Sequence, residues 1–323
     1  MIRIICSIVI FSVLFPWVVL SADVYDFIPR HSEQVIQINL TDIPGMESFR
    51  KDLVDTVSRQ TGFDGKSDKS VDISKDIAKI LVVNPKLTED ETFIFVALKV
   101  PESDFCRNLE KLTGSRHSVV RRGIRLERQF VLPEGNSFFG IPSKKRTFVY
   151  AFPGSGVAVF AKDTLVRYFD QKKNLLGLLK ADRTALQNPL ALAAGFTRIS
   201  PQLQEDYPLF PPFYQTVYSL SAGKAGSIRL QGVFSCVDTE AAALVQQQLR
   251  QYVTIGGFLL NQYDPELMRE WVQQIKVQSS RTVVTVKGEL SRAFLDRLAA
   301  ASEQMSGDAA GTGTAQPKKS QGK

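Results

Sequence analysis

Near the C-terminus, Val284 and Val286 keep a period of two; Leu290, Phe294, Leu295 and Leu298 then fall at helical spacing, with Ser291 at the changeover. This predicts a strand and then a helix whose first N–H groups are met by the serine oxygen. The same switch recurs upstream. Strands expected over 80–83 and 92–100 precede a helix opening within 101–104 and running to about Leu112. Strands over 147–152 and 157–161, joined by Pro153-Gly154-Ser155-Gly156, precede a helix capped by Asp163 and Thr164 and running through Phe169. Strands over 215–221 and 227–237 precede a helix capped by Asp238 and expected to end near Tyr252. Strands over 275–278 and 282–288 precede the last helix, 291–303. Gly- or Ser-rich joints give each strand pair its backbone freedom, and β-branched and aromatic residues suit the pleat.

A strand-strand-helix unit cannot bury its apolar face alone. The expected fold is therefore α+β: repeated strand-strand-helix units forming antiparallel sheets with helices packed on one face, in two domains. A further strand at 35–40 and a helix at 44–59 give the first half the order β-α-β-β-α-β once 118–121 is added, compatible with a ferredoxin-like split topology. After a short helix expected at 186–194, Pro201, Pro208, Pro211 and Pro212 interrupt the repeat. The expected division is an N-terminal domain at 23–180, a Pro/aromatic-rich connection at 181–212, a C-terminal domain at 213–305 and a polar tail at 306–323. The tail and the Gly/Ser/Asp/Lys-rich segment 61–76 carry too little apolar surface to fold by themselves.

Residues 1–22 differ in kind. Arg3, the apolar run 4–15, the break at Pro16 and the small residues around Leu20-Ser21-Ala22 have the layout of a secretory signal peptide, with the mature chain starting near Asp23. An uncleaved anchor is the alternative, because residues 4–20 sit at the short edge of the roughly 17 to 25 apolar residues that span a bilayer. Either way the body is expected outside the cytosol, in the periplasm or extracellular space. It is tethered if the segment stays, with no transmembrane span in the mature chain.

A hydrophobic share of 44% and a charged share of 23% are ordinary for a folded domain, and they exclude wholesale disorder and a multi-span membrane protein. Of the three cysteines, Cys6 leaves with the signal. Cys106 flanks the stripe Phe105, Leu109 and Leu112, and Cys236 shares a strand face with Ile228, Leu230 and Phe234. Two separate buried thiols are the direct reading, and a Cys106–Cys236 disulfide is the alternative that an oxidising compartment permits.

The net charge of +7 matters once it is located, for between Arg107 and Arg146 ten Lys/Arg stand against three Glu. Within that stretch 119–128 reads as a hairpin whose turn and outward face are cationic through Arg121, Arg122, Arg125 and Arg128. Lys144, Lys145 and Arg146 add a second cluster. Summed charge of this kind attracts phosphate-bearing surfaces, although a merely solvated strand face is the plainer alternative. Aromatics spaced to stack bases are missing, so nucleic acid is not the expected partner. The second candidate is 207–214, where Phe210, Phe213 and Tyr214 form either an exposed contact surface or a plug folded between the two domains.

Catalytic signatures fail on inspection. His31 and His117 lie in no ligand-spaced cluster. Gly154-Ser155-Gly156 is no nucleophile elbow, the S-x-x-K matches at 221–224 and 320–323 lack companion motifs, and no phosphate-cradling glycine loop occurs. Asp64, Asp68 and Asp72 are spaced by four rather than the two of a calcium loop. Asn39 opens a glycosylation sequon, but inside an expected strand. No catalytic residue, metal site or cofactor is assigned. The expected function is an exported, non-enzymatic binding or scaffold protein whose partner is a protein, a polysaccharide or an anionic envelope surface. The alternative is an extracytoplasmic hydrolase or ligand-binding enzyme whose carboxylates converge only in the fold.

Overall fold

The computed structural model describes residues 23–41, 73–87, 91–122, 125–131, 137–138, 141–142, 147–162, 164–171, 175–188, 190–206, 212–298 and 300–301. Its contacts divide the chain into two compact units that change over between Leu186 and Gln187. The expected helix at 44–59, residues 61–72 of the segment 61–76 and the tail at 306–323 lie outside the described residues, whereas 73–76, expected to belong to that loose polar segment, form a short helix with Asp76 buried.

The first unit contains β1 (Gln34–Asn39), β2 (Ile77–Asn84), β3 (Phe93–Leu98), β4 (Ser118–Arg122) and β5 (Arg125–Val131). The two-residue strands β6 (Ser137–Phe138) and β7 (Ile141–Pro142) pair with each other, and β8 (Thr147–Gly154) and β9 (Val157–Lys162) complete the unit. The order across the sheet is β1-β2-β3-β9-β8-β5-β4, every pairing antiparallel. This corrects the split ferredoxin-like expectation, in which the first and third strands would be parallel neighbours. Here β1 lies against β2, with Ile36 opposite Val82 and Ile38 opposite Ile80.

Helices of this unit are α1 (Ile73–Asp76), α2 (Glu102–Thr113), α3 (Val166–Gln171) and α4 (Lys180–Leu186). In α2, Phe105, Leu109 and Leu112 recur at helical spacing and are buried against Ile94, Val96, Phe130, Phe148, Tyr150 and Phe160. The opposite face of β3 is covered by α3, whose Tyr168 ring meets Phe93 and Phe95 edge to face at 5.6 and 5.7 Å. Helices therefore cover both faces here, not one. The cause is visible in Phe93-Ile94-Phe95-Val96 and Val157-Ala158-Val159-Phe160, which are apolar without alternation, as strands buried on both faces must be. Pro101 occupies the N-cap of α2 with no side-chain hydrogen bond, so the helix expected to open within 101–104 does so without a polar cap. Gly114, at φ +63°, ends the helix in a conformation that costs other residues strain.

The second unit holds β10 (Ala191–Arg198), β11 (Phe213–Ala222), β12 (Ile228–Cys236), β13 (Lys276–Ser280) and β14 (Val283–Leu290), in the order β13-β14-β12-β11-β10. Its helices are α5 (Pro201–Asp206), α6 (Thr239–Asn261), α7 (Pro265–Gln274) and α8 (292–298). Residues 191–194, expected to be helical, form the start of β10. The alanines there favour helix by propensity, but register with β11, Phe196 opposite Val217 and Thr197 opposite Thr216, overrides it. The Asp238 carboxylate accepts from Ala241 N at 2.7 Å, as expected of the cap, and Ser291 Oγ accepts from Phe294 N at 3.0 Å. The helix begun at Asp238 runs nine residues beyond Tyr252, to Asn261.

Close approach explains that extension. Gly256 and Gly257 lie where α7 crosses: a Cβ on Gly257 would come within 2.8 Å of Val272 Cγ2, and one on Gly256 within 3.2 Å of Trp271 Nε1. The absent side chains let the Trp271 indole donate to Val253 O at 2.9 Å. Leu267, Ile275, Leu290 and Phe294 form the core beneath, with Leu230, Val253, Leu260 and Trp271 packed on it. Cys106 and Cys236 are both free thiols, the second buried. Among the described residues no helix is long and apolar enough to cross a membrane.

Candidate functional site

The basic hairpin forms. β4 and β5 pair with Val119 opposite Arg128, Arg121 opposite Leu126 and Arg122 opposite Arg125. Directly opposed residues share a face, so Val119, Arg121, Leu126 and Arg128 lie on the same side as His117 and Phe130. That side is the one α2 covers. Gly114 stops α2 over His117, Phe130 and Tyr150, while the hairpin runs on. Beyond the helix the core face is left open, with Val119 58% and Leu126 56% exposed beside an exposed Arg121. Arg128 is half-buried, its guanidinium 5.3 Å from the centre of the Phe152 ring. The outward face expected to be cationic is thus a mixture of arginine and branched aliphatic side chains.

At the hairpin's base a recess of about 270 Å³ is bordered by Ser115, Arg116, Ser118, Gln129 and Thr147. It offers hydroxyl and amide groups together with one guanidinium, a donor set that suits an anionic oxygen cluster. The backbone positions of Arg122 and Arg125 are described but not their side chains, and Lys144, Lys145, Arg146 and Phe210 lie outside the described residues.

Of the aromatic segment, Phe213 opens β11 and is buried, edge to face with Phe234 at 5.3 Å. Its carbonyl accepts from Gln204 Nε2 at 2.9 Å, while Tyr214 is exposed. Phe213 therefore serves the core of the second unit, and the two rings do not act together.

A buried polar cluster that sequence reading missed lies next to the hairpin. His117 Nδ1 is 2.8 Å from the Tyr150 hydroxyl and its Nε2 2.9 Å from Thr113 Oγ1, while its backbone N–H donates to Glu110 Oε1 at 3.0 Å. The imidazole stacks on Phe130 at 4.6 Å, and the Tyr150 hydroxyl also reaches Cys106 Sγ at 3.7 Å. Burial holds the imidazole neutral, with a pKa lowered to about 4 against the pull of Glu110 and with help from Arg128. Burial likewise raises the Tyr150 phenol well above its ordinary value, with Cys106 adding to the rise. Each imidazole nitrogen thus has an oxygen partner, the satisfied state a buried polar group requires. Only the four-residue spacing of Thr113 and His117 hinted at it.

Asn39 is buried and its side-chain oxygen accepts from Thr41 N at 3.1 Å and Thr41 Oγ1 at 2.7 Å, so the sequon folds on itself. Buried Asp76 accepts from Asn108 Nδ2 at 2.7 Å. Among the described residues no group of three or more His, Cys, Asp and Glu side chains is placed to hold a metal ion. Against known proteins, no family model, no curated protein and no solved structure matches this chain.

Proposed function

We propose that this is an exported, non-enzymatic binding protein that holds an anionic lipid surface through the β4–β5 hairpin. One observation carries the reading. The sheet face that α2 covers continues past the helix uncovered, and there Val119 and Leu126 stand exposed beside Arg121 and Arg128. A strand that only faces water has no use for aliphatic side chains in that place. A headgroup layer does, because arginine meets the phosphates while valine and leucine enter the acyl boundary. The cationic stretch from Arg107 to Arg146 supplies the attraction, and the N-terminal 22 residues fit export.

The test is sedimentation with vesicles of phosphatidylglycerol and phosphatidylcholine against phosphatidylcholine alone. Binding is expected to the anionic vesicles and to weaken with salt. Charge reversal at Arg121, Arg122 and Arg125 is expected to reduce it on the order of 100-fold or more, at about 1 kcal/mol for each basic residue near such a surface. Equal binding by the reversed chain, with an unchanged circular dichroism spectrum, overturns the proposal.

A further inference from the structure

We infer that the chain pairs with a second copy of itself through the outer side of α6 and the turn that leads into α7. The inner side of α6 is accounted for: Val253, Gly257 and Leu260 face Trp271, Val272 and the core around Leu267. On the outer side and in the following turn stand Tyr252, Ile255, Phe258, Leu259 and Tyr263, with Phe258 65% and Tyr252 62% exposed. A helix that packs on a core ordinarily turns charged and polar residues outward, and one that is apolar all round is covered on all sides. This helix is apolar on both sides over its second half.

Charge is the second observation. From Gln251 to Tyr263 there is no Asp, Glu, Lys or Arg, in a chain that is 23% charged. Loss of charge with enrichment in Tyr and Phe is the composition of an interface centre. It also selects the occupant. A lipid surface recruits helices with a lysine- or arginine-rich rim, whereas α6 has Arg250 as its one basic residue. A charged partner would find nothing to pair with. A second copy meets no like charge across a two-fold axis, where the same patch must fit itself.

The area suffices. With a fully exposed aromatic ring offering ~150 to 250 Å² and a branched aliphatic side chain somewhat less, the three rings of Tyr252, Phe258 and Tyr263 together with Ile255 and Leu259, all roughly half exposed, present about 500 Å² per copy. Two copies then bury about 1,000 Å², where specific interfaces begin. Beside the patch a groove of about 580 Å³ follows Gln246, Arg250, Thr254 and Ile255, so the surface carries a recess next to the protruding Phe258 ring.

The experiment is sedimentation velocity on the full chain between about 1 and 100 µM, the range where an interface of this size is populated. A concentration-dependent dimer is expected. Ile255→Lys and Phe258→Glu, made separately, are each expected to weaken it at least tenfold with unchanged melting. Raising salt from about 50 to 500 mM should leave it intact, since the five side chains that carry the contact are uncharged. Ile255→Cys should give a disulfide-linked dimer on mild oxidation, whereas Gln273→Cys on the exposed end of α7 and the unaltered chain should not. This last measurement decides the matter if a charged variant fails to fold. A monomer at every concentration overturns the inference. So does a dimer that survives both charged variants or that dissociates instead on charge reversal at Arg121.

Discussion

His117 is held neutral inside the first unit by Tyr150, Thr113 and the Phe130 ring, and its protonation is where acid should first be felt. Its folded pKa of about 4 lies below the 6.5 of an unfolded histidine. Between those values the unfolded chain binds more protons than the folded one. Stability is therefore fully present above about pH 6.5, is lost as pH falls towards 4, and changes no further through this group below that. The melting temperature of the native chain should drop over this window. The drop should be shallower in His117→Gln, which keeps hydrogen bonding without the charge. Parallel curves between pH 6.5 and 5 would show that His117 does not carry the effect. In the sequence this residue was one histidine at the foot of a basic strand. Its importance depends on Tyr150, thirty-three residues away and opposite Arg128 in the sheet register, which no local pattern reports.

Among elements, the strand-helix junctions were the most legible part of the chain. Asp238 and Ser291 cap helices as their side-chain chemistry dictates, and β11, β12, β13 and β14 fall within a few residues of their expected bounds. Misreadings arose where local preference and tertiary contact disagree. Thr254-Ile255-Gly256-Gly257 looks like a helix end by propensity, but α6 continues because α7 needs that close approach. α7 itself is announced by Asp264-Pro265-Glu266, an N-cap followed by proline in the first turn, a signal that carries no strand-like alternation. Gly257→Leu should push α7 away through Val272 and cost about 1 to 3 kcal/mol, the usual penalty of overpacking. The midpoint of urea unfolding measures it, and an unchanged midpoint would mean that the α6–α7 contact yields easily.

At the scale of the whole molecule, hydrophobic patterning reported the α+β character and missed which faces are covered. Val119 and Leu126 lie on the hairpin face that the sequence marks only as cationic, through Arg121 and Arg128. They are open because α2 ends at Gly114, and a helix length is not written in the strand it covers. The outer side of α6 was hidden for a similar reason, since an apolar helix face reads as core until its neighbours are known. The hairpin has one more consequence. Among the described residues β4 is the outermost strand of its unit, paired with β5 on one side. An edge bearing Val119 and Val120 is a template on which further strands of other molecules can grow, and basic side chains on it are the usual guard. Arg121→Val with Arg122→Thr should therefore turn this chain towards thioflavin-positive fibrils, and clear solutions after prolonged shaking would refute that. The guanidinium groups proposed to meet headgroups would then have a second duty, keeping copies of the protein from stacking into cross-β.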